Sequence, residues 1–128
     1  MFRVLNDKFY IDARGRKMPL STKFSKSVPL ILSNVESEHL KILGEIGSYI
    51  EKNKFLNNHI SSLSFKNEDL IFTLNNFSYS LNMSGYKEYD SKFKNYESFF
   101  LKVYNSGLLD SLSSINLNFK NQVIIQRK

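Results

Sequence analysis

The spacing of apolar residues switches along the chain between the period of a helix and the period of a strand, and this limits the fold classes open to it. From about Glu36 to Lys52, apolar residues recur three and four positions apart, as on one face of a helix, and Asn53, Asn57 and Asn58 are predicted to mark its end. A second such segment runs from Asp90 or Ser91 to Asn105 and is followed by Gly107, a residue typical of helix ends. The residues predicted to be buried on these helices are Leu40, Leu43, Ile46 and Ile50, then Phe93, Tyr96, Phe100 and Val103.

Outside the two predicted helices, short runs of alternating or β-branched apolar residues predict strands. Three such runs precede the first helix: residues 9–12, and the proline-containing residues 18–20 and 28–32. Gly15 can turn the chain between the first run and the second. The runs after the first helix cover residues 60–65, 70–74 and 77–83, and those after the second cover 115–119 and 122–127. This order predicts an α+β domain, a mostly antiparallel sheet with two helices packed on one face.

The chain is long enough to form one domain with its own hydrophobic core. With 128 residues and 41% hydrophobic residues, the chain can bury a core as one domain without disulfide bonds. No apolar run approaches the roughly 18 residues that a membrane span needs. The sequence as it stands therefore predicts a single domain that does not itself cross a membrane.

The reactive side chains are too few and too scattered for catalysis. The chain contains no cysteine, and its five glycines do not form a phosphate-binding loop. Its two histidines, His39 and His59, lie 20 positions apart without a third ligand at metal spacing, and we interpret them as surface or boundary residues. We therefore predict that the protein is not an enzyme and has no cofactor and no metal site.

The positive charge is concentrated near the N-terminus. The formal net charge is +6, and residues 1–26 hold seven basic residues against two acidic ones. Residues 27–128 hold eleven basic and ten acidic residues and are almost neutral. A small basic nucleic-acid-binding module is the alternative that this cluster leaves open, although a local cluster is weaker support than a basic surface interleaved with aromatic residues.

The chain ends on a predicted strand, Gln122 to Arg127, and a terminal strand often lies at a sheet edge. An edge can be protected by charge, for which Lys120, Arg127 and Lys128 are suited, or it can recruit another chain. Three consecutive apolar residues, Val123, Ile124 and Ile125, leave an interior strand equally open at this point. For a docking edge, we expect proline at position 124 to abolish binding if that N–H points outward.

Three segments resemble one protein family. Residues 10–21 (YIDARGRKMPLS) are similar to the YID-x-x-G-x-x-MPLS segment of the FtsQ/DivIB cell-division proteins. Residues 24–29 (FSKSVP) resemble the YSxxVPV stretch that follows it, and residues 115–123 (INLNFKNQV) resemble the family's ID-x-RY-x-NQVVV ending. Asn116 stands where the family usually has aspartate, and Asn118 where it has arginine. The resemblance covers nearly the whole chain.

The resemblance implies a domain organisation and a location. Residues 1–8 would be the end of a preceding POTRA-like region, and residues 9–128 an FtsQ-type β domain. The native protein would be anchored in the cytoplasmic membrane by one upstream helix absent here, with this domain, monomeric, on the extracytoplasmic side. Its expected role is that of a non-catalytic scaffold that recruits FtsB/FtsL-type coiled-coil subunits and binds no nucleic acid.

The resemblance also implies where the partner docks. In the family the partner adds a strand beside the last strands of the sheet, largely through main-chain hydrogen bonds. Carried over by position, the expected partner-binding residues are Phe119, Asn121, Gln122, Val123, Ile124, Ile125 and Arg127.

Overall fold

The computed structural model of the chain describes residues 2–4, 9–19, 30–31, 36–66, 69–118 and 123–128. Within it, the chain divides into two compact units, residues 1–64 and residues 65–128. The division of the sequence at residue 8 stays a prediction.

The strands of the first unit form a mixed sheet in the order β3-β2-β1-β4-β5. Pairing is antiparallel between β1 and β2 and between β2 and β3, and parallel between β1 and β4 and between β4 and β5. Phe2 and Val4 on β1 and Ile11 on β2 are fully buried, so the first strand belongs to the core of this unit. The strand bounds are Phe2–Val4 (β1), Phe9–Ile11 (β2), Lys17–Pro19 (β3), Leu30–Ile31 (β4) and Ile60–Lys66 (β5).

Two helices of the first unit lie within the described part of the chain. A 3-10 turn at Ser37–His39 leads into α1 (Leu40–Lys52), which confirms the first predicted helix. Leu43, Ile46 and Ile50 are fully buried, whereas Leu40 in the first turn is half-buried. A short helix α2 (Lys54–His59) follows at once, where the asparagines were expected only to end the first helix. Asn53 begins α2 because its side chain accepts a hydrogen bond from the backbone N–H of Leu56, 3.1 Å away.

In the second unit, the described residues form four strands in the order β6-β7-β8-β9 and one long helix, α3. The outer pairs β6–β7 and β8–β9 are antiparallel, whereas β7 and β8 are parallel. Parallel neighbours need a crossover connection, and α3 supplies it between β7 and β8. The bounds are Asp69–Leu74 (β6), Ser80–Ser84 (β7), Tyr89–Val103 (α3), Leu112–Asn116 (β8) and Ile124–Arg127 (β9), with a 3-10 helix at Leu108–Ser111.

Aromatic side chains join α3 to its sheet. Phe93 packs edge-on against Phe72 of β6 at a centroid distance of 5.2 Å. The hydroxyls of Tyr79 and Tyr96 form a buried hydrogen bond of 2.7 Å, and burial raises the pKa of both. Phe93 and Tyr96 are therefore buried, as predicted. The other two predicted core residues of α3, Phe100 and Val103, are half-buried near the end of the helix.

The predicted fold class is confirmed. The chain is α+β, with mostly antiparallel strand pairs and helices packed alongside. Several boundaries differ from the prediction. β7 begins at Ser80 rather than Phe77, after Asn76 with a left-handed φ of 69°, and α3 ends at Val103 rather than Asn105. β8 spans Leu112–Asn116 rather than residues 115–119. Gly107, with φ 79°, therefore starts the 3-10 helix instead of lying immediately after α3. A common face for α1 and α3 stays a prediction.

We expect Leu43→Ala to lower the free energy of unfolding by about 2–5 kcal/mol, because it leaves a cavity at a fully buried site. The matched control is Leu101→Ala on α3, where the leucine is 61% exposed and the loss should stay below about 0.5 kcal/mol. Chemical denaturation of both variants measures the difference. Equal losses would contradict the assignment of the buried face of α1.

Candidate partner-binding edge

Strand β9 lies at the end of the strand order among the described strands and pairs with β8 on one side. The register places Ile125 opposite Ile115 and Ile124 opposite Asn116. The interior-strand alternative is therefore not the one that the structure shows. The predicted terminal strand is confirmed, although it begins at Ile124 rather than Gln122.

The hydrogen bonds of β9 show which backbone groups face away from β8. The backbone N–H of Lys128 donates to the carbonyl of Ser111 at 2.9 Å, so position 128 faces β8. Backbone groups of successive residues in a strand point to opposite sides, so Gln126 and Ile124 also face β8. The Ser113 hydroxyl donates to the Gln126 carbonyl at 3.2 Å, in agreement with this. The N–H and C=O groups of Ile125 and Arg127 therefore face the open side.

A β-bulge interrupts β8 beside this edge. Leu112 pairs with Arg127 and Ser114 with Gln126, so Ser113 is an extra residue on β8. Bulges are common at sheet edges, where they increase the local twist. Because the irregularity lies on β8, β9 keeps a regular alternation. Serines carry no pattern that would have revealed the bulge in the sequence.

The side chains of β9 are mixed in chemistry. Ile124 is 44% exposed, and Ile125 is half-buried beside the fully buried Ile115. Arg127 and Lys128 are exposed at the end of the strand. Of the predicted partner-binding residues, Val123, Ile124, Ile125 and Arg127 lie together at this edge, whereas Phe119, Asn121 and Gln122 lie outside the described residues.

The first recognisable motif forms a turn rather than a reactive site. The Asp12 carboxylate accepts hydrogen bonds from the backbone N–H groups of Arg14 (2.9 Å) and Arg16 (2.8 Å). It also accepts one from the Arg16 Nε atom at 2.7 Å. The backbone hydrogen bond from Arg16 is the main reason that the pKa of Asp12 lies below its usual value. Asp12 therefore holds the link between β2 and β3 in shape.

This turn approaches α1 so closely that only glycine fits at the contact. A Cβ atom on Gly44 would lie 2.4 Å from the Asp12 carbonyl oxygen and 2.5 Å from the Gly15 nitrogen. Gly15, with φ 79°, would bring a Cβ within 2.6 Å of the Leu40 carbonyl oxygen. The two glycines thus allow the turn and the helix to pack backbone against backbone.

The basic cluster is only partly described. Arg14, Arg16 and Lys17 are exposed beside this turn, and the Arg16 side chain is paired with Asp12. No observation on the described residues favours nucleic-acid binding over the ordinary solvation of these cations.

The two histidines occupy different environments. His39 is half-buried, and one of its ring nitrogens lies within 4.8 Å of a carboxylate oxygen of Glu36 and of one of Glu38. The two glutamates are exposed, and such acidic groups are common without an ion. His59, predicted to be a surface or boundary residue, is the last residue of α2 and is buried: it is 6% exposed and stacks on Phe55 at a centroid distance of 4.7 Å. Burial lowers the pKa of His59 to about 4.

The geometry defines an α+β fold whose terminal strand, among the residues that the structure describes, pairs with a strand on one side only. A family model described as FtsQ/DivIB, C-terminal related, matches residues 1–125, and the chain belongs to this family. No curated protein matches the chain.

Membership in this family indicates a role in cell division. The family consists of non-catalytic division scaffolds, anchored in the membrane with an extracytoplasmic domain. Among the residues that the structure describes, no helix is long and apolar enough to cross a membrane.

We expect Gly44→Ala to destabilise the protein by about 1–3 kcal/mol through overpacking, although the same change usually stabilises an exposed helix by roughly 1 kcal/mol. The added Cβ would clash with backbone atoms of the turn, so the turn and the helix would have to move apart. Thermal or chemical denaturation gives the sign of the change. A more stable variant would contradict the close packing of turn and helix.

We expect the free energy of unfolding to decrease as the pH falls from about 6.5 towards about 4, in part because of His59. Its folded-state pKa of about 4 lies below the ordinary 6.5, so the unfolded chain binds the proton more tightly throughout this window. Denaturation curves at several pH values should show a smaller decrease for His59→Gln. An unchanged pH dependence in that variant would contradict the burial of a neutral imidazole.

Proposed function

We propose that this domain is a cell-division scaffold that recruits FtsB/FtsL-type coiled-coil subunits by strand addition at β9. The observation that carries the proposal is the open side of β9, where Ile125 and Arg127 direct two N–H donors and two C=O acceptors away from β8. Family membership supports the division role, and the edge supports the mode of binding.

Main-chain pairing suits a scaffold that must hold an extended segment. Each added hydrogen bond contributes about 0.5–1.5 kcal/mol net, largely independent of side-chain identity. The β9 side chains add to this, since Ile124 offers an exposed apolar surface and Arg127 an exposed cation beside it. Phe119, Asn121 and Gln122, which precede this strand, remain proposed contacts.

The proposal includes the location and the assembly of the native protein. The domain would lie on the extracytoplasmic side of the cytoplasmic membrane, anchored by a single upstream helix. It would be monomeric until it meets its coiled-coil partner. The partner strand would complete the sheet edge.

We expect Ile125→Pro to abolish binding of the FtsB/FtsL-like subunit, because proline removes an outward N–H donor while leaving the β8 pairing in place. Ile125→Val keeps the donor and the β-branched side chain, so it should bind like the unchanged chain. Ile124→Pro should instead weaken the fold, since that N–H faces β8. The outward position is thus 125 rather than 124, which the sequence alone did not show.

Binding by calorimetry and folding by circular dichroism separate these outcomes. A folded Ile125→Pro variant that keeps full affinity would exclude strand addition at this edge. A folded chain truncated after Phe119 that still binds with full affinity would exclude the C-terminal strand altogether.

A further inference from the structure

The C-terminal end of α3 exposes hydrophobic side chains that the core does not use. Leu101 is 61% exposed and Tyr104 is 53% exposed, the highest values for large hydrophobic side chains among the residues that the structure describes. The two residues lie three positions apart, so they are neighbours on one face of the helix. The backbone N–H of Tyr104 donates to the Phe100 carbonyl at 2.9 Å, so helical hydrogen bonding continues through Tyr104.

A series of aromatic contacts joins this surface to the interior of the second unit. Tyr104 stacks on Phe100 at a centroid distance of 5.9 Å, with the two ring planes 11° apart. Phe100 packs edge-on against Phe77 at 5.5 Å and contacts the buried Tyr96 at 6.1 Å. Tyr104 therefore extends from a packed aromatic cluster, and the surface that it shares with Leu101 is supported by the fold.

Basic side chains surround these two residues. Lys94 lies two turns before Leu101 on the same face of α3, and Lys102 follows Leu101 directly, and both lysines are exposed. The end of β9 reaches the same end of the unit, because the Lys128 N–H donates to the carbonyl of Ser111, the last residue of the 3-10 helix after α3. The cations here outnumber the acidic residues: Lys94, Lys102, Arg127 and Lys128 against Glu97 and Asp110.

We propose that Leu101, Tyr104 and the lysines around them form a contact surface for an anionic lipid bilayer. Tyrosine combines an apolar ring with a polar hydroxyl, which suits the boundary between lipid headgroups and acyl chains. Lysine stems can lie along the apolar layer while their ammonium groups reach the headgroups. The excess of cations is complementary to anionic headgroups, which strengthen the binding of such surfaces.

The small size of the surface favours a bilayer over a protein. A stable protein interface buries about 800 Å² on each partner and needs a complementary shape. Two exposed hydrophobic side chains supply too little apolar area for a second copy of the chain or for a separate protein. A bilayer needs no complementary shape, because its lipids rearrange around the inserted side chains.

Membrane anchoring makes a weak contact sufficient. The proteins of this family are anchored in the membrane and carry an extracytoplasmic domain. A tethered domain meets the bilayer at a high effective concentration, so even a low intrinsic affinity gives substantial occupancy. This contact would hold the domain on the membrane surface, and it does not depend on strand addition at β9.

The test is co-sedimentation of the full chain with vesicles in which phosphatidylglycerol makes up about a third of the lipid. We expect weaker partitioning into vesicles of phosphatidylcholine alone and at high salt, which screens the lysines. Leu101→Gln keeps a good helix former but removes the apolar side chain, so it should lower the partition coefficient about tenfold. The matched control Ser91→Gln, at an exposed position in the first turn of α3, should leave the partition coefficient unchanged.

A fluorescent reporter locates the contact on the helix. The chain contains no tryptophan, so Leu101→Trp introduces a single indole. We expect its emission to shift to shorter wavelength on phosphatidylglycerol vesicles and to be quenched by brominated lipids. The control Ser91→Trp lies about 15 Å away along the helix axis and should keep the emission of an indole in water.

Three results would each exclude the bilayer contact. They are an absence of partitioning into phosphatidylglycerol vesicles, a Leu101→Gln variant that partitions like the unchanged chain, and equal lipid quenching of the two tryptophans. Equal partitioning into phosphatidylcholine vesicles would overturn the preference for anionic lipid. Circular dichroism of each variant confirms that the chain is folded.

Measurements without lipid test the other possible occupants. A dimer in sedimentation velocity that Leu101→Gln dissociates would assign the surface to a second copy and overturn the proposal. A loss of affinity of Leu101→Gln for the FtsB/FtsL-like subunit would assign it to that partner instead. Calorimetric binding at Ile125 needs no vesicles, so the bilayer contact and strand addition fail separately.

Discussion

The proposed mode of partner binding follows from the hydrogen-bonding requirement of the last strand. A backbone N–H or C=O group must find a partner in the protein, in water or in another chain. Among the described strands, β9 finds protein partners only on β8, through the residues at 124, 126 and 128. The groups at 125 and 127 are left to water or to a second chain. Strand addition satisfies them without any change in the fold.

The arrangement of the second unit creates this open edge. Because α3 crosses over between β7 and β8, these strands run parallel, and the chain then returns as β9 antiparallel to β8. The same crossover covers the core face of the sheet, through Phe93 and Tyr96. The opposite face keeps its serines and asparagines, so the unit presents an edge and a polar face of different chemistry.

The most recognisable sequence motif has a structural explanation. Asp12 holds the turn between β2 and β3, and Gly15 and Gly44 let that turn meet α1 at backbone distance. These residues therefore identify the family through the fold of the first unit. The proposed function depends instead on backbone N–H and C=O groups of the second unit. Every residue type except proline has both groups.

The periodic segments could be predicted from the sequence, and the irregular ones could not. The helix at 36–52 followed from an apolar stripe, and the final strand from its run of β-branched apolar residues. Helix α2 was missed because Asn53 was interpreted as a terminator, whereas its side chain begins the next helix.

The other differences between the predicted and the observed structure arise from contacts between elements that are distant in the sequence. The parallel pairing of β7 and β8 depends on the path of α3, which alternation within a strand does not encode. The outward direction of Ile125 depends on which residues of β9 form hydrogen bonds to β8. The proposed edge could thus be located from the sequence, but its donors could not be assigned.

Residue-resolved hydrogen exchange of β9, measured without and with the coiled-coil partner, shows whether a partner strand pairs with this edge. In the isolated domain, the amide protons of Ile124 and Gln126 should exchange slowly and those of Ile125 and Arg127 rapidly. The partner should slow exchange at Ile125 and Arg127 in particular. If the partner binds without protecting these two amides, it docks elsewhere and strand addition at β9 is wrong.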